Sequence, residues 1–332
     1  MKFGIMLPHS GALAGVEAIR RVALEADDLG FDSVWCHDHV TYDTDWFLHR
    51  GSGLIEQCEG IDPDFYESIS TLTWVAGMTQ NVKLGTAILV LPLRDPRVLA
   101  RQAMTLQSLS GGRLMLGVGI GDYPSDFRVM QIPYDEKNRI TDEYIDVLNA
   151  AFEGGHVDFQ GPNVSFDNAS YFPKTTPKAP VLYGGGVVYP RKTRAPRLYE
   201  PAMRRIAERC DGWIPEGPPH VMAEGIERIR ELATGVGRGD VDFQVTAYIP
   251  LYIDHDAAAQ AMTRKTLVTE IHTFEEGLAG SLVGSVERIC KVIEAYEEAG
   301  VDALGMRCWA ENLPRFVAMM RTFAREVMPR FG

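Results

Sequence analysis

Residues 82–121, VKLGTAILVLPLRDPRVLARQAMTLQSLSGGRLMLGVGIG, constrain the fold more than any other part of this chain. A buried apolar run leads through a loop into a helical pattern, a glycine stop and a second buried run. That is one complete β-α-β unit with its parts in order. Asp95 stands where a helix N-cap belongs, and Pro96 takes the first helical position, where its missing N–H costs nothing. Ser110, Gly111 and Gly112 end the helix.

The same alternation runs through the chain. Apolar patterning predicts strands at 3–7, 33–36, 83–90, 114–118, 181–183, 212–214, 244–253 and 303–307. Helical spacing predicts helices at 16–29, 67–78, 141–152, 200–210, 286–299 and 313–328, besides the one after Asp95. Eight β-α units without an interior linker predict a single α/β domain over 1–332, a (β/α)8 TIM barrel with loop insertions at its C-terminal face. An open doubly wound sheet is the alternative, because strand count does not prove closure. The loop at about 41–63 is long and rich in Gly, Asp and aromatic residues.

Composition narrows the function classes. A net charge of −12 argues against broad binding to nucleic acid or anionic membranes, either of which needs a basic face. Five cysteines without CxxC spacing fit a reducing compartment better than a disulfide framework or a zinc cluster. The N-terminal apolar run is broken by Pro8 and is too short for a signal sequence, and no run approaches a membrane span. These features predict a soluble, cytoplasmic protein.

In a barrel, chemistry gathers where the strands end. Three constellations fall there. The triplet His37-Asp38-His39 after strand two could bind a metal, serve acid–base catalysis or hydrogen-bond a cofactor ring; packing at the rim is the structural alternative. A metal site would need further ligands at later strand ends, yet those end in glycines and in Trp-Ile-Pro. Gly117-Val118-Gly119-Ile120-Gly121 has its third glycine misplaced for a dinucleotide fingerprint, but it suits close approach of a flat ring. Asp122 follows it as a proton donor or acceptor, or as a solvated loop acid. Gly184, Gly185 and Gly186, followed by Arg191, Lys192 and Arg194, form the best anion site in the sequence, with a solvated surface loop as the alternative.

Taken together, these segments resemble the luciferase-like monooxygenase family of flavin and deazaflavin enzymes. The resemblance is carried by GFDSVWCHDHV (30–40), residues 84–121, VLYGGG (181–186), ERCDGW (208–213) and a G-x-x-E-R helix start at 284–288. It covers nearly the whole chain. It implies a (β/α)8 barrel with an isoalloxazine-type ring at the C-terminal mouth and a phosphate near Gly184, Gly185, Gly186 and Arg191. It also implies an Asp38–His39 pair beside the ring, a non-proline cis peptide at Ala87–Ile88 behind it, and Asp122 as a proton donor next to Gly121. Dimerisation through early barrel helices is a further implication.

The reading that follows is an F420-dependent oxidoreductase, transferring a hydride between the deazaflavin and a small organic substrate. His39, Asp38 and Asp122 would be catalytic, with Asp38 fixing the tautomer of His39 or touching the ring. Asp38, Ala87, Ile88, Gly121, Gly184, Gly185, Gly186 and Arg191 would bind the cofactor. The rival is an FMN-dependent monooxygenase using reduced flavin and O2; in either case a flavin or F420 reductase would supply reduced cofactor. A metal-dependent barrel hydrolase and a non-catalytic flavin-binding protein are the alternatives from other classes. A small-molecule substrate and a homodimer are expected, without nucleic acid or membrane partners.

Overall fold

The computed structural model describes residues 1–41, 64–188, 196–266 and 274–332. Eight parallel strands close into a ring: β1 (Lys2–Met6), β2 (Ser33–Cys36), β3 (Lys83–Thr86), β4 (Leu114–Gly119), β5 (Val181–Gly184), β6 (Gly212–Ile214), β7 (Gln244–Ile253) and β8 (Ala303–Cys308). β8 returns to β1 with Lys2 opposite Ala303, and β6 reaches β7 with Gly212 opposite Gln244. The ring is therefore a closed barrel, and the open-sheet alternative is excluded.

The strand predicted over 83–90 is interrupted. Its two paired parts, Lys83–Thr86 and Leu89–Val90, flank a cis peptide at Ala87–Ile88. The helix Pro96–Leu109 forms as its sequence dictates: the Asp95 side chain accepts the Arg97 N–H at 2.9 Å. Gly111 and Gly112 then turn the chain at φ of 69° and 92°, a region that side chains disfavour. Helix Lys137–Phe152 begins earlier than its periodicity suggests. Helix Pro219–Gly235 and the antiparallel hairpin Gly155–Gln160 with Ser165–Tyr171 are additions to the sequence reading.

Inside the barrel, Trp35 is buried with Met6, Met115, Leu182 and Ile214. Gly4 and Gly85 make its room, since a Cβ at either position would overlap the indole. The N-terminal end is closed by polar braces. Arg113 donates to the carbonyls of Ser110, Ala76, Thr79 and Val82 and to the Thr79 hydroxyl, all at 2.8–3.0 Å. Asp27 accepts the amides of Gln80, Asn81 and Val82. Burial would raise the Asp27 carboxyl, but these donors outweigh it and hold it below the ordinary value. Among the described residues no helix is long and apolar enough to cross a membrane.

Candidate active site

At the C-terminal end of the barrel the strand ends enclose a cavity of about 670 Å³. Ala87 and Ile88 line it from β3, Gly119, Gly121 and Asp122 from β4, and Gly184, Gly185 and Gly186 from β5. Ile214, Glu216 and Tyr248 face them from β6 and β7. The structure thus brings together Ala87, Ile88, Gly121, Asp122 and the three glycines on one wall. Arg191, Lys192 and Arg194 lie outside the described residues, as does most of the long loop after Thr41.

The glycines have a packing reason as well as an approach reason. A Cβ at Gly117 would overlap the Thr86 carbonyl oxygen, and one at Gly184 would overlap the Ile88 side chain. A Cβ at Gly119 would lie 2.7 Å from Ile88 Cδ1. Strands β4 and β5 therefore stay bare so that Ile88 can sit between them. At Gly185, whose φ is 103°, a Cβ would meet nothing within 4 Å. Its N–H is already given to the Ile214 carbonyl at 3.1 Å, and its carbonyl accepts the Trp213 indole at 2.6 Å. The anion cradle expected of this turn consequently has one amide fewer than three glycines suggest.

Asp38 does not hold His39. Its buried carboxylate accepts Arg94 in a two-pronged pair, Nη2 to Oδ1 at 2.6 Å and Nε to Oδ2 at 3.1 Å, together with the Val90 N–H at 3.1 Å. Arg94 also reaches Glu67 at 3.1 Å. Burial alone would lower the Arg94 guanidinium pKa; Asp38 and Glu67 more than reverse that. The group pins the end of β2 to the chain just beyond the cis peptide.

The partner of His39 is Asp126. His39 Nδ1 lies 2.9 Å from Asp126 Oδ2, while Oδ1 accepts the amides of Val40 and Thr41 at 3.1 and 2.9 Å. A carboxylate that accepts two N–H groups fixes Nδ1 as the donor. The imidazole stacks on Tyr123 with ring centroids 4.0 Å apart and 7° between planes. Tyr123 follows the cavity-lining Asp122, whereas Asp38 and His39 are not among the residues that line the cavity. The other histidines of this corner are buried: His9 contacts the Leu7 and His37 backbone, and His37 Nε2 lies 3.0 Å from Ser10 Oγ. Burial pushes the pKa of His9 down and that of His37 well down. Among the described residues no group of three or more His, Cys, Asp or Glu side chains is arranged to hold a metal ion.

A family model described as luciferase-like monooxygenase matches residues 1–277. The chain belongs to the luciferase-like monooxygenase family. Family membership makes it an enzyme of the flavin and deazaflavin oxidoreductase type. It is 28% identical over 272 residues to 5,10-methylenetetrahydromethanopterin reductase of Methanolobus tindarius, covering 82% of this chain and 71% of that protein. Its fold matches the coenzyme F420-dependent tetrahydromethanopterin reductase of Methanopyrus kandleri (TM-score 0.73, 20% identity, covering 100% and 99% of the two chains). It also matches the oxygenating constituent of 3,6-diketocamphane monooxygenase of Pseudomonas putida, in complex with FMN (TM-score 0.72, 16% identity, covering 99% and 98%).

Within this luciferase-like barrel, sequence reasoning missed Asp126 and Lys137. Lys137 lines the cavity, donates to the Gly121 carbonyl at 2.9 Å and rests 3.7 Å from the Tyr134 ring. Its neighbour Asn138 is held by Arg205, which pairs with Asp142 and donates to the Tyr183 hydroxyl at 2.9 Å. Burial pushes the Tyr183 phenol up to about 12. Neither gave a local signal: Lys137 opens a helix whose periodicity is readable only from 141, and the partner of Asp126 lies far away in the chain.

Proposed function

We propose that this luciferase-like enzyme is an F420-dependent oxidoreductase acting on a small organic substrate. One observation carries the reading: a bare wall of glycines from β4 and β5, backed by Ala87 and Ile88, faces a cavity large enough for a tricyclic ring. Gly185 is a place a Cβ would fill, which suits a planar conjugated group. The similarity over 82% of the chain to the Methanolobus protein, a reductase rather than an oxygenase, supports reductive chemistry over oxygen insertion.

When bound, the deazaflavin supplies or accepts the hydride. The chain's own residues orient and protonate. Ala87, Ile88, Gly121 and Gly184 back the ring, while Gly185, Gly186, Lys137 and Arg191 hold its phosphate-bearing end. His39 exchanges a proton at Nε2 with the substrate oxygen, its Nδ1–H held by Asp126. Asp122 is a second proton donor from the β4 loop. Asp38 acts at one remove: through Arg94 it fixes the segment that carries Ile88 and Val90. A homodimer and a reductase that supplies reduced cofactor in the cytoplasm go with this reading.

The family's monooxygenase description favours a second reading, an FMN-dependent monooxygenase. Titration with F420 and FMN, followed by turnover with and without oxygen, separates the two. We expect F420 to bind at least about tenfold more tightly, a gap of about 1.4 kcal/mol, and turnover to persist without oxygen. Tight binding of FMN alone, with oxygen-dependent turnover, would replace the first reading with the second.

A further inference from the structure

Tyr248 lines the cavity from inside the barrel. It packs with Ala87 and Ile88 against the cluster of Met6, Trp35, Met115, Leu182 and Ile214. Tyr183 also lines the cavity, but it follows Leu182 on β5 and belongs to the outer core. Strand alternation sends those two neighbours to opposite faces, so Tyr248 is the phenol of the inner face. Arg307, near the end of β8, stands beside it. Its guanidinium carbon lies 5.5 Å from the Tyr248 ring centre, and its side chain hydrogen-bonds the Tyr248 hydroxyl.

A guanidinium has donors only, so the phenolic oxygen accepts in that bond. The hydroxyl hydrogen of Tyr248 is left for a different acceptor. Burial pushes the Tyr248 phenol up, the Glu216 carboxylate adds to this, and Arg307 opposes both without cancelling them. The hydroxyl therefore keeps its proton near pH 7. Accepting from a cation also polarises the O–H and strengthens it as a donor. The cavity-lining Asp122 and Glu216 offer carboxylates instead, and Lys137 already donates to the Gly121 carbonyl.

We propose that Tyr248 hydrogen-bonds a carbonyl oxygen of the substrate, with Arg307 as its positioning residue. The assignment rests on the cavity being a redox site that holds substrate beside the ring. It deepens that reading by naming the substrate class, a carbonyl compound or the alcohol it becomes. A hydride added to the carbonyl carbon forms a C–H bond, breaks the C=O π bond and leaves the electron pair on oxygen. The Tyr248 O–H, backed by Arg307, stabilises that charge until His39 supplies the proton.

The test titrates the full chain, with and without oxidised F420, with cyclohexanone and with acetophenone carrying a carbon-13 carbonyl. Isotope-edited infrared spectroscopy follows the carbonyl band. We expect a saturable band with at least one ketone, displaced to lower frequency by the hydrogen bond. Tyr248→Phe keeps the ring and should return the band towards that of the ketone in an apolar solvent, with affinity about 2–10-fold weaker. Arg307→Gln removes the cation and should move the band part of the way. No saturable band with either ketone, or the same band in Tyr248→Phe, overturns the proposal. So does a fall in F420 affinity in Tyr248→Phe, which would make Tyr248 a ring contact. An unmoved band in Arg307→Gln overturns the positioning role. Because the cofactor-free arm needs no F420, its failure leaves the F420 reading standing, and failure of the F420 titration leaves the Tyr248 contact standing.

Discussion

The two ends of the barrel treat arginine differently. At the N-terminal end Arg113 is surrounded by carbonyl and hydroxyl oxygens, and its charge helps to tie a helix end, a turn and the start of β3 together. At the mouth, Arg94 faces two carboxylates, Asp38 and Glu67. Both Arg94 and Arg113 belong to the same resembling segment, yet one braces the closed end and the other sets the geometry beside the cavity. A shared motif therefore mixes parts that stabilise the barrel with parts that shape the site, and position along the barrel axis separates them.

The largest effect expected from breaking this division is on turnover. His39→Ala should lower kcat by about 10²–10⁴, the range for loss of a positioned general acid–base group, with cofactor affinity little changed. Asp126→Asn should cost about 10–100-fold, since it removes the carboxylate that holds the Nδ1–H while leaving the imidazole in place. Parallel losses of kcat and cofactor affinity in both variants would instead make the pair a packing element.

Next in size are the arginines themselves, read as stability. Arg94→Leu leaves the Asp38 carboxylate buried and unanswered, and should destabilise by about 3–5 kcal/mol. Arg113→Met leaves carbonyl oxygens without a donor and should cost about 2–3 kcal/mol. Denaturant unfolding of both variants, and of Arg94→Leu combined with Asp38→Asn, tests the ordering. The double variant should recover part of the loss. If Arg113→Met proves the more damaging, the mouth is held by packing rather than by paired charge.

Much of this was legible in the chain because local chemistry repeats. Asp95 and Pro96 mark a helix start whatever surrounds them, and the β-α alternation yields strand positions that the structure places within a few residues. The His39–Asp126 contact was not legible, since it joins residues 87 apart whose meeting depends on the β2 and β4 ends lying near each other in the barrel. Asp38 stood out in the sequence, but its partner Arg94 did not. Adjacency in sequence suggested His39, whereas a strand end sends neighbouring side chains in different directions. The helix Pro219–Gly235 carries a readable stripe of Val221, Met222, Ile226 and Ile229 behind its opening prolines.

The smallest effect separates the two ends by pH. His9 and His37 are buried at the mouth with pKa values below the ordinary 6.5, whereas the Arg113 brace does not titrate in this range. Below about pH 6.5 the unfolded chain takes up protons at these histidines that the folded mouth refuses, so the unfolded state binds more protons and stability falls with acidification. The loss continues until the folded-state values are reached, with a slope of at most about 1.4 kcal/mol per pH unit for each histidine. Unfolding free energies measured from pH 7.5 to 5 should show this decline, and His37→Gln should flatten it. Amide exchange over the same range should open residues 7–10 and 37–40 before the turn at 79–83. Equal acceleration at both ends would mean that acid loosens the barrel as a whole, and that the buried histidines are not what makes the mouth its weaker half.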